Sequence, residues 1–236
     1  MKAWLKLLIG VVLLPAAFCS LLAAARTMGG LLSEARLTHP FLAGFLGYPV
    51  VHYLCWRPLT LYVFGHELSH AIFAWASGAK VLGFSVSEEG GHVDLSHSNF
   101  VVALAPYVVP IYALAVIAGY RVLLWYARWR LPPPIAHGVF LGAMGAALAF
   151  HLVHTAEVLG GQRQPDLEQA GGLVFSLSLI GLGNGAVLIV ALKCLFPELV
   201  SVADEISMVR ELTGRFWTLL AVGFATAFRS IVRAMA

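Results

Sequence analysis

The sequence predicts an all-α polytopic membrane protein of about six transmembrane helices, with a small β-hairpin beside the helix that carries its most specific motif. Three observations point there. Of 236 residues, 60% are hydrophobic and 11% are charged, and the mean hydropathy of +0.84 lies outside the soluble globular range. Apolar runs of about 20 residues, the length that crosses a bilayer, recur along the chain. One of them contains a His-Glu-Leu-Ser-His run, His66 to His70. Twelve acidic and fifteen basic side chains cannot cover a soluble surface of this size. The net charge of +3 is dispersed in short loops, so nucleic-acid binding has no support. Cys19, Cys55 and Cys194 stand apart in apolar stretches, without the spacing of a disulfide frame or a zinc knuckle.

The elements follow in order, within a single integral membrane domain over 1–236. Residues 4–24, after Lys2 and Lys6, form the first apolar run. Small residues at 23–25 also suit a cleaved signal peptide, but the run has the length of a span, and an uncleaved helix is favoured. Residues 41–76 are apolar apart from Trp56-Arg57-Pro58, which predicts two closely joined spans. The first is short, holds His52 and reads as partly re-entrant; the second carries the motif. Residues 81–87 and 92–95 alternate like strands around a Glu88-Glu89-Gly90-Gly91 turn. Further spans are predicted at 100–126, 135–158 and 172–195, with Arg128, Arg130 and Pro132-Pro133-Pro134 punctuating the first gap. The charged stretch 198–211 reads as a loop or interfacial helix, and the short apolar piece 216–228 as lying at the interface. The metal-binding core falls at about 58–172, and the C-terminal helices at 172–235. With a cytoplasmic N-terminus, the Lys and Arg residues divide nine inside to six outside, a weak bias for that orientation.

The motif carries the chemistry. Residues four apart on a helix share a face, so His66 and His70 can point at one ion, with Glu67 beside them to act as a general base. A charge in the hydrocarbon region costs about 2.5–3.5 kcal/mol, so Glu67 asks for a reason, and a zinc site supplies one. The plainer reading is two histidines bonded to neighbouring carbonyls. A zinc hydrolase takes three protein ligands and leaves a position for water. The chain has three aspartates, Asp94, Asp166 and Asp204. Asp94 falls in the hairpin and Asp204 in the charged stretch, whereas Pro165 looks like a helix start that could aim Asp166 inward. Rivals for the third ligand are His154, His151 and Glu157, which share a helical face and could instead line a wet cavity. The hairpin, through Gly91 and Val93, could hold an extended peptide by its strand edge, or could be an ordinary interhelical connection. His92 and His97 are spare ligand candidates, or simply solvated.

These residues resemble the site-2 protease group of intramembrane zinc metalloproteases, more closely its compact bacterial branch. The resemblance rests on Gly65-His66-Glu67-Leu68-Ser69-His70, then Gly78, Gly90-Gly91-His92-Val93, Ala103-Leu104-Ala105-Pro106, and an aspartate two spans after the motif. It implies Zn²⁺ held by His66, His70 and Asp166, with Glu67 as general base. It also implies cleavage of a membrane-protein or membrane-adjacent peptide substrate within the lipid bilayer of a bacterial cell membrane. The chain departs from the group's Asn-x-x-Pro and Asp-Gly pattern, having Gln164-Pro165-Asp166-Leu167 instead. Two other classes use the same residues: a divalent-metal transporter, and a catalytically silent relative acting as a membrane partner protein.

Overall fold

A computed structural model describes residues 2–87, 90–128, 133–161 and 163–235. In chain order the elements are α1 (Ala3–Ser33), α2 (Ala35–Leu54), α3 (Leu59–Ala76), β1 (Val81–Val86), β2 (Gly91–Leu95), α4 (Phe100–Val108), α5 (Ile111–Ala127), α6 (Pro134–Gly160), α7 (Pro165–Ala170), α8 (Leu173–Leu195) and α9 (Val202–Met235). The protein is therefore mainly helical with one antiparallel hairpin. Among the described residues three helices, α1, α6 and α8, are long and apolar enough to cross a membrane, or up to four spans if the bent α4–α5 pair counts as one. Helices α2 and α3 fall short of that measure. The first carries Arg36, His39 and His52, and the second carries His66, Glu67 and His70 within 18 residues.

Several boundaries differ from the sequence expectation, each for a local reason. Helix α1 runs past residue 24 to Ser33, because Arg26 and Thr27 do not break a helix; the Thr27 hydroxyl donates back to Ala23 O. Thr38 then donates to Leu31 O at 2.8 Å, tying the corner into α2. Helix α2 is continuous from Ala35 to Leu54 through Pro40 and Pro49, rather than a short piece from 41. The break before Pro58 falls where expected. The run expected as one span over 100–126 is instead two helices at 69°, parted at Val109-Pro110, since Pro110 has no N–H to continue the ladder. The C-terminal region is one helix of 34 residues: most of the charged stretch is helical, one of its two readings, and it runs without a break into the apolar piece. Arg130, Pro132 and the Glu88-Glu89 part of the turn lie outside the described residues.

Packing is by closely approached pairs, α1 along α8 and α2 along α6. In the second pair, a side chain at Gly44 would strike the Gly142 carbonyl, and one at Gly145 would strike the Phe41 carbonyl. Small residues let helices approach this closely where lipid supplies no hydrophobic drive between them. Leu31, Phe41, Met144, Leu148, Leu192 and Phe196 fill the core these helices share. A second cluster of Leu104, Tyr107, Leu167, Ala170 and Ile180 joins α4, α7 and α8. The hairpin pairs Phe84 with Val93 and Val86 with Gly91, with a register shift between Val81 and Gly83. It packs on α3.

Candidate metal centre

Helix α3 carries His66 and His70 on one face, one turn apart. Each imidazole is fixed by its outer nitrogen. The Nδ1–H of His70 donates to the Val102 carbonyl at 2.9 Å, which leaves Nε2 with its lone pair facing inward. The Tyr62 hydroxyl lies 3.1 Å from His66 Nδ1 and plays the same part for that ring. Tyr62 stands four residues before His66, so the same helical spacing that pairs the histidines supplies the support. Gly65 lets Tyr112 of α5 lie against the helix, since a side chain there would meet the Tyr112 ring at 2.7 Å.

Asp166 arrives from the opposite wall. Helix α6 ends at Gly160, and α7 restarts with Pro165 at its first position and Asp166 in its first turn. Its Oδ2 lies 3.4 Å from His66 Nε2 and 3.5 Å from His70 Nε2. The fully buried Tyr107 donates its hydroxyl to the same oxygen at 2.9 Å. The ligand atoms of His66, His70 and Asp166 all lie within 4.8 Å of one another, a set that could hold a metal ion.

The distances fit an ion pair between imidazole and carboxylate, and they also fit three groups that share one ion. Good N–H···O bonds fall near 2.9 Å, and 3.4–3.5 Å is at their outer limit. Two ligands bonded at about 2.0–2.1 Å in tetrahedral geometry are about 3.3 Å apart. The two imidazole–carboxylate distances, long for hydrogen bonds, are close to the edges of such a tetrahedron. Two nitrogens and a carboxylate oxygen, each supported from behind, are a donor set that fits zinc. No known protein family, curated protein or solved structure matches the chain.

Glu67, one residue after the first histidine, is buried and faces the same cleft. The cleft holds about 510 Å³ and is lined by the three candidate ligands, Glu67, Gly91, Val93 and polar residues that include Gln164. Strand β2 comes so close that a side chain at Gly91 would meet Val63 at 2.7 Å and Glu67 Cγ at 2.9 Å. Glycine at 91 is what brings that strand to the cleft. Among the described residues β2 pairs with β1 alone, which leaves it an edge able to take another strand. Burial pushes the Asp166 carboxyl up, but the adjacent His66 and His70 imidazoles and the Tyr107 hydroxyl outweigh it and hold it well below the usual carboxylate range.

The other sequence candidates lie elsewhere. His154 belongs to a second polar cluster: its Nε2 meets the Tyr48 hydroxyl at 2.9 Å, and its ring stacks on Tyr62 at 4.7 Å between centroids. Glu157 is 3.0 Å from His52 Nε2 in that cluster. His151 bonds the Asn184 side chain at 3.0 Å. None of the three joins the converging set. Asp94 stays on the exposed hairpin near His92, and Asp204 lies in the first turn of α9. His92 and His97 are exposed at the cleft rim.

Sequence reasoning missed the supporting residues. Tyr62 carried a usable signal, its spacing of four from His66. Tyr107, one residue beyond the quoted Ala103-Leu104-Ala105-Pro106 stretch, carried none, because its hydroxyl finds Asp166 only once α4 folds over α7. The Val102 carbonyl is likewise invisible to a reading of side chains.

Proposed function

We propose that this chain is a zinc-dependent intramembrane endopeptidase resembling the site-2 protease group, which hydrolyses a peptide bond in or near a membrane segment of a protein substrate. The observation that carries the reading is the pair of distances, 3.4 and 3.5 Å, from two imidazole nitrogens to one Asp166 oxygen, in a cleft shared with Glu67. The reading puts α2, α3 and the bent α4–α5 pair in the bilayer with α1, α6 and α8, giving about six spans in a bacterial membrane.

Zinc at this position supplies Lewis acidity, which polarises a carbonyl and eases deprotonation of water. The chain's residues do the rest. His66, His70 and Asp166 hold the ion, while Tyr62, the Val102 carbonyl and Tyr107 hold those ligands in place. Glu67 accepts the proton of the attacking water at its carboxylate and delivers it to the departing amine nitrogen. The edge of β2 aligns an extended stretch of substrate by backbone hydrogen bonds. The polar cleft admits water to an otherwise apolar region, where a low dielectric strengthens each charge interaction.

The test uses the full chain in proteoliposomes with a pool of single-span membrane peptides, read by mass spectrometry for new termini. Wild type should generate them, and Glu67→Gln should lose about 10²–10⁴-fold in rate while keeping its metal. Equal cleavage by both proteins would sink the protease reading. A partner protein or a transporter would be indifferent to Glu67→Gln.

A further inference from the structure

Helix α1 contributes nothing to the cleft lining, yet one of its side chains reaches the element that carries Asp166. Lys6, in the second turn of α1, donates from Nζ to the Ala170 carbonyl at 2.7 Å. Ala170 is fully buried and ends α7, whose first turn holds Asp166. The lysine stem passes over Gly171, where a side chain would collide with Lys6 Cδ, and where φ of 146° favours glycine in any case. The ammonium also meets the negative end of the short helix, where its last carbonyls have no partner within the helix.

Helix α7 has six residues, too few to be stable alone, so its position is set by what grips it. Ser176 donates to Leu167 O at 3.0 Å, and Tyr107 holds Asp166 from α4. Lys6 grips the far end from α1, the helix that packs along α8. Four residues of rise, about 6 Å, separate Ala170 from Asp166, so a small tilt at one end moves the other by a comparable amount. The distances from Asp166 to the two histidines leave little room for such movement.

We infer that Lys6 is a positioning residue for the metal centre: by fixing the C-terminal end of α7 it keeps Asp166 at His66 and His70, and so couples the first helix to the site. The inference rests on the metal-centre reading. An ordinary interfacial lysine, extended along apolar surface to reach polar groups, would have no such effect.

Cobalt(II) titration of the full chain in detergent, followed by visible absorption, separates the two. Wild type is compared with Lys6→Met, Lys6→Gln, Lys6→Arg, Asp166→Ala and, as a control on the same end of α1, Lys2→Met. Lys6→Met should bind cobalt about tenfold or more weakly, within the range seen when a ligand's supporting partner is removed. Its spectrum should shift toward that of Asp166→Ala. Lys6→Gln, which keeps a shorter donor, should fall between, and Lys6→Arg and Lys2→Met should match wild type. If Lys6→Met does not fold, Lys6→Gln carries the comparison. Wild-type affinity and spectrum in the folded Lys6 variants would overturn the inference. No cobalt binding by wild type would remove the metal centre itself, and this inference with it.

Discussion

Two clusters in this protein have the same ingredients, two histidines and a carboxylate with tyrosines behind them, and they are built to different ends. At His66, His70 and Asp166 both inner nitrogens aim at one oxygen, from 3.4 and 3.5 Å, in an open cleft. At His52, His154 and Glu157 the partners are shared out. Glu157 takes His52 at 3.0 Å, an ordinary hydrogen bond, and the Tyr48 hydroxyl sits 3.3 Å from His52 and 2.9 Å from His154. His52 is fully buried with both ring nitrogens partnered, so that cluster behaves as a pin between α2 and α6. Lone pairs that converge can share an ion, whereas lone pairs already paired hold helices together. The inventory of residues does not distinguish the two; the directions of the nitrogens do.

Four tests, with seven substitutions among them, sharpen the contrast, from the largest effect to the smallest. Glu67→Gln should cut proteolysis by about 10²–10⁴-fold, whereas Glu157→Gln should leave the rate within a few fold. A peptide-cleavage assay on both proteins reads this directly, and equal losses would erase the distinction. Asp166→Ala should weaken zinc by more than the roughly 10–100-fold cost of losing a supporting partner. Glu157→Ala should instead cost about 1–3 kcal/mol of stability, because buried His52 is left without its acceptor, and should leave zinc affinity alone. Paired thermal melts and competitive zinc titrations would expose a swapped outcome. Tyr62→Phe removes the hydroxyl behind His66 and should weaken zinc about tenfold, while Tyr48→Phe should not change it. Gly91→Ala pushes the hairpin off Val63 and Glu67, so cleavage should fall a few fold with zinc retained. Unchanged kinetics there would argue that the strand does not guide substrate.

Much of the first cluster was legible because its signals are local. His66 and His70 are set by a spacing of four, and the hairpin by strand-like residues around Gly90-Gly91. Asp166 was favoured over His154, His151 and Glu157 because Pro165 restarts a helix after Gly160-Gly161, but the sequence left those rivals open. The second cluster was half legible: His154 and Glu157 share a helical face, but His52 and Tyr48 meet them across about a hundred residues of chain. Tyr107 was hidden for the same reason, as its partner is distant in sequence. The bend at Pro110 was lost because the apolar run 100–126 has the length of one span, and hydropathy counts composition, not direction. The continuity of α9 was missed because the charged stretch 198–211, read as a loop or an interfacial helix, stood apart from the apolar 216–228, although its Ala, Glu, Met, Arg and Leu residues are good helix formers.

The central claim is that the first cluster, and not the second, holds the ion. Elemental analysis of the purified full chain in detergent, after dialysis against trace zinc, tests it most directly. Wild type and the His52→Ala, His154→Ala double variant should each retain one zinc per chain, and the His66→Ala, His70→Ala double variant should retain none. Stoichiometric zinc in the His66→Ala, His70→Ala protein, or its loss from the His52→Ala, His154→Ala protein alone, would contradict the account.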